Sequence, residues 1–259
     1  MPRDFTRATP DYYQRTESNT ALLSYPWSMA VWFKPTFAVT QDAGEWTLWD
    51  FYGSGTIFNH TRIDDGAGNV GTLQAVERNG GLSGVMATSN AVTINTWHHA
   101  FVRRSDGEHK VILDGDTANA GSSTDGVTSY AAQDQFYVGT FDGSTDHWDG
   151  LESWLVFWNA FLTDEEAAAL AAGVHPMRIR PSAHNIVIPF HGFSNPETMY
   201  TDINGSTTIA VGSGAPAGVP GDGPPMEMWQ PYGMGSVLAA TAAPPAGAAA
   251  NQGWGWCHT

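Results

Sequence analysis

The strongest constraint in this sequence is the alternation in Trp27-Ser28-Met29-Ala30-Val31-Trp32-Phe33, where Trp27, Met29, Val31 and Phe33 fall on one face. A two-residue repeat of bulky aromatic and β-branched side chains fits a pleated strand with a buried face. It does not fit a helix, whose apolar positions recur every three or four residues. Pro35 then stops the strand or confines its end to a sheet edge. Further strands are predicted at residues 11–15, with Tyr12 and Tyr13, and at 46–52, closed by Gly53. Others follow at 71–76, 97–103, 110–113, 135–139 and 151–158, with an Asp-Gly turn at Asp114-Gly115. Many short strands joined by turn residues predict an all-β antiparallel sandwich of jelly-roll type.

Composition narrows the partners. With 259 residues the chain is long enough for one large sandwich with appendages. The formal net charge is −15, with only 11 Lys plus Arg, so a phosphate backbone is repelled and nucleic acid is not expected as a partner. Cys257 is the single cysteine, which rules out an internal disulfide and a cysteine-based zinc site. No 18-residue apolar stretch suggests a membrane span, and the first residues lack the apolar run of a signal peptide. Synthesis and folding in a cytoplasm are the expectation.

One helix is predicted over residues 163–172. Thr163 and Glu166 have the spacing of a capping box, Ala167 to Ala172 have high helix propensity, and Gly173 and Pro176 mark the end. A helix this short is marginal alone, so it must dock on the sandwich. Residues 185–190 suit one accessory strand, and 204–225 are rich in Gly, Pro, Ser and Ala. The predicted division is a sandwich at 1–175, an accessory strand and connector at 176–225, and an extended tail at 226–259. Four aromatic residues in that tail, Trp229, Tyr232, Trp254 and Trp256, are expected to bury on assembly with neighbouring subunits.

Five segments in order resemble the laminin-G-like, concanavalin A-like superfamily: Tyr25 to Pro35, Asn95 to Val102, Val111 to Gly115, Phe136 to Gly139, and Asp149 to Thr163. The continuation through Ala171-Ala172-Gly173-Val174-His175-Pro176 and Ile179-Arg180-Pro181, with the later Pro224-Pro225, is similar to laminin-G-like proteins encoded among phage structural genes. This resemblance implies a lectin-like sandwich displayed on a virion, made in the host cytoplasm. The implied role is a capsid decoration, head-fibre or tail-associated subunit that contacts other virion subunits and forms a homo-oligomer. The alternative it leaves open is a carbohydrate-binding module that recognises surface glycans.

The superfamily also hosts glycoside hydrolases, whose chemistry needs two carboxylates flanking the scissile bond. Glu45, Glu77, Glu108 and Glu152 are isolated in sequence, while Glu165 and Glu166 serve helix capping, so no enzyme is expected. No Gly-x-Ser-x-Gly elbow or phosphate-cradling loop occurs. His98 and His99 are adjacent on a strand and point to opposite faces, so they cannot share one ion. One is expected half-buried and the other on the surface. Laminin-G-like domains hold calcium at one rim, and the resemblance implies that Asp142 and Asp146 supply oxygen donors, with the Asp64, Asp65 and Asn69 loop as another candidate. Most Trp residues belong in the core. Trp148 with His147, placed in a loop, is the expected glycan contact.

Overall fold

The computed structural model describes residues 3–6, 11–16, 25–37, 44–66, 70–80, 82–123, 133–190, 199–201, 208–213, 217–218 and 223–226. Its strands are β1 Arg3–Phe5, β2 Tyr12–Thr16, β3 Trp27–Pro35, β4 Trp46–Ser54, β5 Ile57–Ile63 and β6 Thr72–Asn79. They continue with β7 Leu82–Ala91, β8 His98–Ser105, β9 Glu108–Leu113, β10 Gly121–Ser123, β11 Gln135–Val138 and β12 Gly150–Trp158. After the helix α1, Asp164–Ala171, come β13 His184–Ile188, β14 Met199–Thr201, β15 Thr208–Ser213 and β16 Ala217–Gly218.

These strands form two antiparallel sheets. Sheet A runs β10-β9-β8-β3-β12-β1-β16, with β13 also paired to β12. Sheet B runs β14-β15-β2-β11-β4-β5-β6-β7. The alternation read from the sequence holds. Trp27, Met29, Val31 and Phe33 enter the core between the sheets, where they meet Leu48, Trp49, Phe51, Phe136, Leu155 and Phe157. Burial of this aromatic-rich layer is the main stabilising term, because apolar area removed from water contributes about 25 cal/mol per Å².

The other face of β3 was expected to be wet, yet Ser28, Ala30 and Trp32 are buried as well. The reason is the helix. Ala30, Phe101, Ile112, Val156, Trp158 and Val187 on the outer face of sheet A form a second apolar layer with Leu162, Ala167 and Leu170. Thr163 caps α1 in the expected capping box with Glu166. Arg103 and Lys110, on the outer face of sheet A, pair with Asp164 at 2.6 and 2.7 Å and fix the helix start. Gly115 sits beneath the helix at φ +72, and a Cβ there would come within 3.0 Å of Ala168 Cα and Ala171 Cβ. A second difference concerns the adjacent histidines. His98 and His99 do point to opposite faces, but both are buried, His98 bonded to Asp114 and His99 against Trp32.

The expected accessory strand is present as β13, paired with β12. The stretch expected to be a connector gives strands to both sheets: β15 pairs with β2, and β16 with β1. Residues Met1–Met228 cluster as one compact unit and Trp229–Thr259 as a second. That second unit, with Trp229, Tyr232, Trp254 and Trp256, lies outside the described residues. Among the described residues, no helix is long and apolar enough to cross a membrane.

Candidate functional site

With sheet A covered by α1, the outer face of sheet B is the broad surface left without a helix among the described residues. Register identifies what stands on it. Phe51 pairs with Phe136 and Asn59, and these point inward, so their neighbours Asp50, Tyr52, Phe58, His60 and Tyr137 point outward. Tyr12 joins them because its neighbour Tyr13 lies in the core.

The rings form a continuous row across β2, β11, β4 and β5. Tyr12 meets Tyr137 with centroids 6.1 Å apart, and Tyr137 meets Tyr52 at 6.3 Å. Tyr52 then meets Phe141 at 5.6 Å, and Phe141 meets both Phe58 and His60 at 5.0 Å. Most contacts are edge-to-face, the geometry that the aromatic quadrupole favours. Tyr12, Tyr52 and Phe141 remain half-buried, each offering ring surface to solvent.

Phe141 belongs to the loop between β11 and β12, which folds back over the sheet. Its turn is closed by Phe141 N donating to Thr145 O at 3.1 Å and Thr140 Oγ1 donating to Thr145 O at 2.8 Å. Beneath it, Asp50 and His60 stand directly opposite one another on β4 and β5. Burial raises the Asp50 carboxyl well above the usual carboxylate range, with the charge of Asp142 adding to the rise. Burial likewise lowers His60 well below the usual imidazole range, helped by Arg62. The His60 imidazole is therefore neutral near neutral pH, and the Asp50 carboxyl holds its proton to higher pH than an exposed one. Desolvation, reinforced by Tyr12, Asp50 and other nearby acids, pushes Tyr137 up to about 12.

The two expected glycan contacts part company. His147 comes to the aromatic face, stacked on Tyr12 with centroids 6.1 Å apart. Trp148 does not: it is 0% exposed, in the core, edge-on to Phe33 and Phe37 at 5.7 Å each. A chain passing along the sheet sends successive side chains to opposite sides, and the larger apolar ring took the inside. No face of Trp148 is free to stack on a sugar.

The aspartates expected to bind calcium are engaged in turns. Asp142 Oδ1 accepts from Ser144 N at 3.0 Å and Ser144 Oγ at 2.6 Å. In the other loop, Asp64 Oδ2 accepts from Gln74 Nε2 at 2.6 Å, Asp65 Oδ2 accepts from Gly44 N at 2.5 Å, and Arg62 pairs with Glu45. Asn69 lies outside the described residues. Calcium takes six to eight oxygens. Among the described residues, no group of three or more His, Cys, Asp or Glu side chains is placed to hold a metal ion.

Sequence reasoning missed Tyr52, Phe58, Tyr137, Phe141, Asp50 and His60 as a group. The available signal was the second phase of the alternation: in 46–52 and 135–138 bulky rings occupy both strand faces, more than a one-sided core needs.

No curated protein sequence matches this chain. Among solved structures, a putative carbohydrate binding protein from Bacteroides ovatus superposes with a TM-score of 0.60 at 15% identity, covering 81% of this chain and 57% of that one. The chain thus spans a little over half the length of that protein. A sialidase CBM40 from Ruminococcus gnavus, bound to α2,3 sialyllactose, superposes with a TM-score of 0.52 at 13% identity, covering 66% of this chain and 96% of that one. At these identities the likeness is one of fold. The laminin G family model of the Concanavalin A-like lectin/glucanases superfamily matches residues 8–168, more than half of the sequence, and the chain belongs to that superfamily.

Proposed function

We propose that this protein is a carbohydrate-binding module that recognises glycans on the outer face of sheet B. The observation that carries this reading is the row of half-buried rings, Tyr12, Tyr52 and Phe141, on the sheet face that no described helix covers. Aromatic faces provide flat apolar surface at low entropic cost, and Gln14, Gln135 and Arg78 around them supply hydrogen-bonding groups. The relatives described as carbohydrate-binding share this sandwich, which supports the same reading. Sequence reasoning put phage virion assembly first and glycan recognition second; the open face and the relatives reverse that order.

Binding to an oligosaccharide array by the full chain, followed by titration, tests the reading. Tyr52→Ala and Tyr12→Ala are each expected to weaken binding about tenfold, the equivalent of about 1.4 kcal/mol of lost ring contact. Unchanged affinity in both variants would move the ligand site elsewhere.

A further inference from the structure

The loop carrying Phe141 covers two polar side chains that the described residues around them leave largely unsatisfied. Asp50 is 0% exposed and His60 3% exposed. Asp50 Oδ1 and both ring nitrogens of His60 have no hydrogen-bond partner among the described residues. Leaving such groups dry costs free energy that a bound ligand with matching hydroxyls would return. A hydrophobic pair at these positions would be cheaper if stability were the only demand on them.

The cover is built as a compact piece with few ties to what lies below. Residues 141–145 close on themselves through the Phe141–Thr145 bridge and the Asp142–Ser144 turn. A long hydrogen bond, Asp142 N to Asp50 Oδ2 at 3.4 Å, joins the loop to the sheet beneath. Both ends are anchored: Gly139 N donates to Leu48 O at 2.9 Å, and Thr47 N donates to Asp146 O at 3.0 Å. At one anchor Gly139 adopts φ +84 with no room for a Cβ, which would fall 2.6 Å from Phe5 Cδ1. The Phe141 ring meets the floor edge-on to His60, with an interplanar angle of 88°.

We infer that the 139–147 loop is a lid, and that Phe141 holds the place of one neutral sugar ring whose hydroxyls bond to Asp50 and His60 when the lid swings out. This rests on the glycan-binding reading and deepens it to a ligand class. Phe58, stacked on His60 at 5.1 Å, and Tyr52 would remain as apolar walls for the ring. The two unpartnered nitrogens of a neutral imidazole offer a donor and an acceptor to a polyol, and Asp50 Oδ1 offers a further acceptor. An anionic sugar would instead be brought against Asp142, whose charge already raises Asp50. The specificity is therefore for neutral over sialylated glycans.

The test uses the full chain on an array of neutral oligosaccharides and their sialylated counterparts, with three variants. His60→Phe keeps the stack with Phe58 and Phe141 and removes only the ring nitrogens, so it should fold at least as well as wild type, as read by its melting temperature. It is expected to lose neutral-glycan binding about tenfold or more, one buried hydrogen bond or better. Phe141→Ala removes the occupant of the subsite and is expected to bind the same glycans more tightly. Wild-type binding that survives in a folded His60→Phe but falls in Tyr52→Ala overturns the lid and leaves the glycan-binding face standing. A preference for sialylated glycans also overturns it. Binding by neither wild type nor Phe141→Ala overturns both readings together.

Discussion

Glu77 and Arg104 form an ion pair inside the sandwich, one from each sheet, with both side chains only 2% exposed. Asn59 Nδ2 donates to Glu77 Oε1 at 2.9 Å, His109 Nδ1 lies 2.8 Å from Glu77 Oε2, and Arg104 also reaches Tyr25. Removing one partner strands the other charge out of water. Glu77→Met and Arg104→Met are each expected to cost about 3–5 kcal/mol of stability, measured by urea unfolding. The double variant should recover part of that loss, because two apolar side chains replace a matched pair. A double variant as unstable as the sum of the singles would contradict this account.

Trp148→Ala is expected to destabilise the fold by about 3–5 kcal/mol, as deletion of a large core side chain does. Its ring packs against Phe33 and Phe37. At a temperature where the variant is still folded, its glycan affinity should match wild type. Thermal unfolding and binding titration on the same sample check both halves.

Burial lowers His99 to about 4, with Asp114 pulling weakly the other way. Its imidazole ordinarily titrates near 6.5 in an unfolded chain. Between these values the unfolded state binds the extra proton, so stability falls as pH drops from about 6.5 toward 4. The full effect is on the order of 3 kcal/mol. Buried His60 adds a slope of the same sign, so His99→Gln should reduce the acid-side slope without abolishing it in unfolding measured from pH 7 to pH 4.5.

Glu152 has the opposite sign. It is 0% exposed between the sheets, neither carboxyl oxygen has a partner among the described residues, and desolvation raises it well above the usual carboxylate range. Below the unfolded value near 4.5 both states hold the proton and no penalty arises. Above it the unfolded state ionises first, and stability falls as pH rises. Glu152→Gln is expected to gain about 1–3 kcal/mol at pH 7 and little at pH 4.5. An equal gain at both pH values would show that ionisation is not the cause.

The parts of the fold legible in the sequence were those with a one-sided apolar phase. In Trp27–Pro35 the alternation named the four core residues. In Ile57–Ile63 it could not, because the inward residues Asn59 and Thr61 are polar and the outward ones include Phe58. In Leu82–Ala91 the residues are mostly small, and among the described side chains only Met86 adds a large one to the core. Strands held by pairing and neighbours carry little local signal. The candidate site was hidden for a related reason. Asp50 and His60 are ten residues apart in sequence and meet only through the β4–β5 register. His147 and Trp148 were read as one contact, yet the structure stacks the first on Tyr12 and buries the second in the core, since adjacency in a loop says nothing about which ring turns inward.

The helix on sheet A bears on valency. With one side of the sandwich covered by α1 and the other bearing the aromatic row, the described residues present one platform of this kind. On the proposed glycan-binding reading, one platform would tether the protein to a single polymer strand at a time. Cross-linking of cells or particles by this chain would then require several copies joined together, and avidity would scale with their number.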